Sequence, residues 1–476
     1  MTETGRPRRA YVETYGCQMN ISDGELMEGI LAGSGYEIVA APEDADVVLV
    51  NTCAIREHAE QRVLGRVGQL ADLKRRRPGM LIGVTGCMAQ RLGGSLLERA
   101  GHVDLVMGPD GYRGLPDALE RVGARAAPGE GEAPPRPEAP RRRGPALAVL
   151  DLDLGENYEG LEPRRREGPS AWVTVQRGCD HRCTFCIVPY VRGPEKNREP
   201  REVLAEVRAL ADTGVSEVTL LGQTVNSYRW REWRFPHLLR EVARVDGIRR
   251  VRFTSPHPND VDEALAEVMA TEPAVCEQLH LPLQSGSDRM LKRMLRRYTV
   301  RTFLEKVELV RRAVPDVALS TDVIVGFPGE TEEDFQATLD AMRRVRFDDA
   351  FTYRYSPREG TPATRLPAED FVSDEVAGTR LEGLIDVHRS IQAEIAASEV
   401  GRVEEVLVEK PAKSEGDVLG RTRRGKVVAF PGSPDLVGGY VEVRLDRTTG
   451  ATFGGTAVDA ADAVDAVAET ADVRPA

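Results

Sequence analysis

Between residues 171 and 353 the sequence alternates short apolar runs with stretches at helical spacing, and this alternation restricts the fold more than any other feature. The apolar runs fall at 171–176, 217–221, 251–254, 277–281, 318–325 and 350–353. The helical patterns between them fall at 201–212, 237–244, 260–270, 302–313 and 332–344. Consecutive parallel strands need a crossover of a dozen or more residues, usually a helix, so this rhythm is that of an α/β domain. It predicts a central β/α barrel, complete or partial at six units. A doubly wound open sheet built from the same alternation is the competing architecture.

A length of 476 residues predicts two to four domains. Ahead of the central region, residues 9–15, 46–51 and 81–85 read as strands. Ser22 with Glu25 three positions on makes a capping box before a helix ending near Gly33. Val63, Val67, Leu70 and Leu73 recur at helical spacing until Pro78-Gly79 stops them. This segment, 8–123, is expected to be a small α/β domain with a parallel sheet. Residues 124–146, ARAAPGEGEAPPRPEAPRRRGPA, have almost nothing to bury and read as a solvated, disordered linker. The barrel domain is placed at 165–400, ending in a helical stretch at 381–397. The period then changes to two at 403–409, 418–422, 426–430 and 440–445, which predicts a small antiparallel β-barrel over 401–456. The Ala/Asp-rich stretch 457–476 is expected to be a disordered acidic tail.

No apolar run approaches the roughly 20 residues of a membrane span. The polar start, Met1–Arg9, has no apolar segment behind it, so the expected localisation is cytoplasmic and no membrane partner is expected. Seven cysteines are too few, and odd in number, for a disulfide scaffold. Their placement therefore carries the chemistry.

Cys179, Cys183 and Cys186 form a C-x3-C-x2-C run directly after a strand. A structural zinc site wants four ligands, commonly on paired C-x-x-C arms, and no second arm follows. Three thiolates on one loop can instead hold three irons of a [4Fe–4S] cube and leave the fourth open to a small molecule. Cys17, Cys53 and Cys87 are far apart in sequence, but each lies just past a strand. Parallel strands put all three at the carboxyl edge of one sheet, where α/β proteins bind ligands. A second cluster with three protein thiolates is the functional reading; three independent packed thiols is the bland one. Cys276 opens a barrel strand and reads as an inert packed thiol.

These residues sit in recognisable motifs: TYGCQMN at 14–20, NTCAIREHAEQ at 51–61, GCMAQR at 86–91 and GCDHRCTFCIVPYVRG at 178–193, with HLPLQSGSD at 280–288 and TDVIVGFPGET at 321–331. The chain resembles the radical S-adenosylmethionine methylthiotransferases, most nearly the tRNA branch that makes 2-methylthio-N6-dimethylallyladenosine, over essentially residues 9–456. The resemblance implies that Cys179, Cys183 and Cys186 hold the cluster that binds and reductively cleaves S-adenosylmethionine. It implies that Cys17, Cys53 and Cys87 hold an auxiliary cluster tied to sulfur insertion. An aromatic C–H is too strong and too non-acidic for a general base, so a cofactor radical has to remove the hydrogen. The implied partners are tRNA and an electron donor such as flavodoxin or ferredoxin; the sulfur donor is not implied. Arg177 stands where the family pattern leads one to expect an acidic residue.

Gln223, Ser255, Gln284, Asp322, Gly326 and Glu330 lie at carboxyl ends of expected barrel strands, where a barrel keeps its active site, and are the candidates for cofactor binding. Residues 402–447 carry nine Lys/Arg against eight Asp/Glu, yet Arg421, Arg423, Arg424 and Lys426 cluster at one strand–turn–strand and are the candidates for phosphate contact. Two other readings stay open. One is a sister methylthiotransferase acting on another modified tRNA adenosine or on a ribosomal-protein aspartate. The other is a non-catalytic, zinc-stabilised RNA-binding protein.

Overall fold

The computed structural model describes residues 6–54, 57–126, 146–165 and 167–458. The linker expected at 124–146 and the tail expected at 457–476 lie almost wholly outside the described residues. Two compact units form: residues up to 166 with Gln176–His181 and Cys186–Arg198, and residues 167–175 and 182–185 with everything from Glu199 onward.

The first unit is built on a six-stranded parallel sheet: β1 (Arg9–Tyr15), β2 (Glu37–Ile38), β3 (Val47–Thr52), β4 (Leu81–Gly86), β5 (Leu105–Met107) and β6 (Leu147–Val149). The order across the sheet is β2-β1-β3-β4-β5-β6. All of β3 is buried, which is why its sequence is a continuous apolar run without alternation. Val47 and Leu49 pack on one side with Leu26, Leu31 and Leu119; Val48 and Val50 pack on the other with Val63 and Val67. Strands β2, β5 and β6 are too short to show a period, so only three of the six were legible. The sixth enters from beyond the Pro-rich segment.

Helix α1 runs over Gln18–Gly33, five residues earlier than the Ser22–Glu25 capping box suggests. Ser22 and Glu25 are buried inside it, and Glu25 forms an ion pair with Arg165 Nη1 at 2.7 Å. The N-cap is Cys17, with extended backbone and no side-chain cap. Helix α2 (Glu57–Arg76) follows β3 and α3 (Cys87–Leu92) follows β4. Residues Gln176–Arg177 and Lys196–Asn197 make a short antiparallel pair in this unit.

The second unit holds β7 (Ser170–Thr174), β8 (Glu217–Leu221), β9 (Arg250–Phe253), β10 (Gln278–His280), β11 (Ala318–Val325) and β12 (Asp349–Arg354). They pair in parallel as β7-β8-β9 and β10-β11-β12. The halves meet at a parallel bridge between Val251 and Val275. Neighbours in the sheet are neighbours in sequence, so there is no reversal of strand order as a doubly wound sheet requires. The architecture is the six-unit partial barrel.

Five strands, β13 (Val403–Pro411), β14 (Asp417–Thr422), β15 (Val427–Pro431), β16 (Tyr440–Thr448) and β17 (Thr452–Ala457), close into a small barrel in the order β13-β14-β15-β17-β16. Alternate residues Val406, Val408, Val418, Val428, Phe430, Val443, Leu445 and Phe453 fill it. The fifth strand contains Gly454-Gly455 and gives no alternating signal. Arg250 of β9, fully buried, seats this barrel by donating to Arg421 O and Glu405 O, each at 2.7 Å.

Candidate functional site

The first unit brings Cys17, Cys53 and Cys87 to the carboxyl ends of β1, β3 and β4, which are adjacent in the sheet. Two glycines make the approach possible. Gly16 has φ +143°, and a β-carbon there would lie 2.5 Å from Cys53 Cβ. Gly86 has φ +93°, and a β-carbon would lie 2.5 Å from Thr52 O. Neither conformation suits a residue with a side chain. Asn20 and Asn51 tie the loops together: Asn51 Nδ2 donates to Asn20 O at 2.7 Å, and Asn20 Nδ2 to Thr52 O at 3.1 Å. A hydrogen bond with Cys53 lowers the Cys17 thiol to about 6, the direction a metal ligand needs. Burial pushes the Cys87 thiol up, against the pull of Arg192.

Behind the trio lies a buried charged network. Arg192 donates from Nε to Cys87 Sγ at 3.1 Å and from Nη2 to Asp23 Oδ2 at 2.6 Å. Tyr158 donates to Pro109 O at 3.0 Å, and the guanidinium of Arg177 lies 3.5 Å from its ring centroid. Arg177 Nη2 and Lys196 Nζ both donate to Asp110, at 2.6 and 2.7 Å. Arg177 thus finds its counter-charge in Asp110, which accounts for a cation at this position. None of these side chains is more than 5% exposed where they meet as ion pairs. Beside Cys87 the charges of Arg192 and Asp23 balance, while Arg177 and Lys196 share the single carboxylate of Asp110.

In the other motif, Cys179 and Cys183 are buried and Cys186 is half-buried. Cys179 N donates to Gly193 O at 3.1 Å within the first unit. In the second unit Arg296, itself buried, donates from Nη1 to Cys183 Sγ at 3.3 Å. Nothing in the sequence marks Arg296; Arg192 was visible only as the VRG end of the cysteine motif. Cys276 is 1% exposed, and burial pushes its thiol up, as expected of a packed thiol.

At the carboxyl edge of the partial barrel, Ser255 and Gln284 both have left-handed backbone, with φ of +58° and +68°. Strain of this kind in residues with side chains gathers at functional sites. Gln284 is buried, and its Oε1 and that of Gln223 have no hydrogen-bond partner among the described residues. Asp322 Oδ2 lies 3.3 Å from His280 Nε2. Asn226 is taken up structurally by the backbone of His257, donating at 2.9 Å and accepting at 2.7 Å. Glu330 accepts from Gly326 N at 2.7 Å and from Arg380 at 2.9 Å, so these two candidates shape the turn between them.

The four cations expected to contact phosphate are ion-paired inside the second unit. Arg421 pairs with Glu409 (3.1 Å) and Arg423 with Glu277 (2.9 Å); Arg424 pairs with Glu399 (3.0 Å) and Lys426 with Asp348 (2.7 Å). Glu277 and Asp348, which pair with Arg423 and Lys426, come from the larger barrel, whereas Glu409 lies on the small-barrel strand next to Arg421.

Comparison with known proteins bears on all of this. Residues 9–108 match the Uncharacterized protein family UPF0004, residues 173–342 the Radical SAM superfamily and residues 397–458 the TRAM domain. The chain is 42% identical over 454 residues to the tRNA-2-methylthio-N(6)-dimethylallyladenosine synthase of Chloroherpeton thalassium, covering 94% of this chain and 96% of that one. The chain belongs to the tRNA-2-methylthio-N(6)-dimethylallyladenosine synthase family. The synthase of Carboxydothermus hydrogenoformans is 43% identical over 444 residues, covering 91% and 96% of the two chains. Among solved structures, the fold resembles that of the radical S-adenosylmethionine methyltransferase TsrM from Kitasatospora setae, with TM-score 0.54, 18% identity and coverage of 76% and 78%.

As a synthase-family member the protein is a radical SAM transferase whose cofactors are S-adenosylmethionine and [4Fe–4S] clusters. The non-catalytic zinc reading falls away. The first trio fits such a cluster: soft sulfur ligands, one lowered thiol and a buried guanidinium donating to Cys87 suit an anionic iron–sulfur group. No helix among the described residues is long and apolar enough to cross a membrane.

Proposed function

We propose that this protein inserts a methylthio group at C2 of N6-dimethylallyladenosine next to the anticodon of tRNA. In this reading Cys17, Cys53 and Cys87 hold an auxiliary cluster, and Cys179, Cys183 and Cys186 hold the cluster that binds S-adenosylmethionine. The observation that carries it is the close approach of the loops bearing Cys17 and Cys53 beside Cys87, in a chain 42–43% identical to synthases of that name.

When bound, the clusters and S-adenosylmethionine supply the one-electron chemistry that replaces an unreactive aromatic hydrogen by sulfur. The protein's part is to hold and orient. Gln223 and Gln284 offer side-chain carbonyls, unpartnered among the described residues, for an amino or hydroxyl donor of cofactor or base; Ser255 follows the strand end of β9 and Asp322 lies within β11. Gly326 and Glu330 support this edge by closing the turn after β11. The quartet Arg421, Arg423, Arg424 and Lys426 lies on the RNA-binding barrel: Arg423 and Lys426 tie it to the larger barrel through Glu277 and Asp348, while Arg421 pairs with Glu409 inside it. The electron donor is a flavodoxin or ferredoxin, and the enzyme works in the cytoplasm.

The test is reconstitution. Anaerobic enzyme with S-adenosylmethionine, a reductant and sulfide is given tRNA bearing N6-dimethylallyladenosine, and its nucleosides are analysed by mass spectrometry. The methylthio product is expected. Unchanged substrate, with turnover on a differently modified adenosine or on a ribosomal protein, would favour the sister activity.

A further inference from the structure

Arg192 makes two hydrogen bonds that the fold explains and leaves one donor that it does not. The side chain is 2% exposed. Its Nε–H points to Cys87 Sγ at 3.1 Å and its Nη2–H to Asp23 Oδ2 at 2.6 Å, while Nη1 is buried with no hydrogen-bond partner among the described residues. A buried guanidinium donor without an acceptor incurs the full penalty of leaving water. Such an atom is expected where an acceptor arrives with a ligand. Asp23 is fixed in turn, lying 3.4 Å from the Tyr158 hydroxyl within helix α1, so the fork cannot swing away to find water.

We propose that Arg192, clamped by Asp23, is a positioning residue of the auxiliary cluster: Nε–H orients Cys87 Sγ and Nη1–H donates to an inorganic sulfide of that cluster. This rests on the assignment of Cys17, Cys53 and Cys87 as cluster ligands. Hydrogen bonds to the sulfurs of an iron–sulfur cluster raise its reduction potential and weaken its iron–sulfur bonds. Arg192 therefore sets the potential of the auxiliary cluster apart from that of the other.

The experiment uses the full chain in a Cys179/Cys183/Cys186→Ala background, reconstituted anaerobically so that only the auxiliary cluster is present. Redox titration followed by EPR gives the midpoint, and resonance Raman gives the Fe–S stretching bands. In Arg192→Gln/Asp23→Asn the midpoint is expected to move to more negative potential and the Fe–S bands to higher frequency, with about four irons per chain retained. Arg192→Lys keeps the charge but not the fork, so its bands are expected to shift in the same direction with a smaller change of midpoint. Wild-type midpoint and bands in either variant at full iron would overturn the proposal. Should the double variant take up no iron, Arg192→Lys decides on the same two readings. Absence of iron from the parent background would instead overturn the ligand assignment on which the proposal stands.

Discussion

A β-carbon built on Gly16 would come within 2.5 Å of Cys53 Cβ, so the residue before the first cysteine and the second cysteine share a space that admits only hydrogen. The backbone at Gly16, with φ +143°, adds a second reason for glycine. Gly16→Ala is therefore expected to force the β1 and β3 loops apart at a cost of about 1–3 kcal/mol. The anaerobic protein should carry about four irons instead of eight. Full iron content in a folded Gly16→Ala protein would show that the two loops need not touch.

The ion-paired turn of the small barrel makes a different prediction. Arg424→Gln is expected to lower stability by about 2–3 kcal/mol, since Glu399 is left 2% exposed without that partner. The dependence of tRNA affinity on salt should keep its slope. A slope smaller by roughly 0.7–0.9 would mean that Arg424 reaches a phosphate.

Acid stability follows from Asp334. Against the opposing effect of burial, hydrogen bonds from Arg289, Ser287 and Thr331 hold its carboxyl down at about 2. A carboxylate depressed on folding contributes stability above its unfolded value of about 4 and loses it as pH falls toward 2. Asp334→Asn is thus expected to lower stability by about 1–2 kcal/mol at pH 7. Urea titrations at a series of pH values should show the two proteins converging as pH falls from 4 to 2. A difference that persists at pH 2 would assign the loss to packing.

Much of this arrangement was legible in the sequence. Strands β3 and β11 are long and apolar enough to declare themselves, and each cysteine of the first trio follows a strand whose end could be read. What stayed hidden depends on distance along the chain. The Asp110 that pairs with Arg177 lies 67 residues away, and the Arg296 that reaches Cys183 lies 113 residues away. No local pattern encodes either. The ion pairs of the basic turn at 421–426 were hidden for the same reason: its charges are visible together, whereas Glu277, Asp348 and Glu399, which pair with them, are scattered. The Ser22–Glu25 pair satisfied the capping rule locally, but the sheet edge starts the helix at Cys17.

The most direct measurement is iron and sulfide content of the anaerobic protein beside two variants, Cys17/Cys53/Cys87→Ala and Cys179/Cys183/Cys186→Ala. Two independent three-cysteine clusters require about eight irons in the parent and about four in each variant. A variant that keeps all of its iron, or one trio whose removal empties the protein while it stays folded, would contradict the assignment of one cluster to each trio.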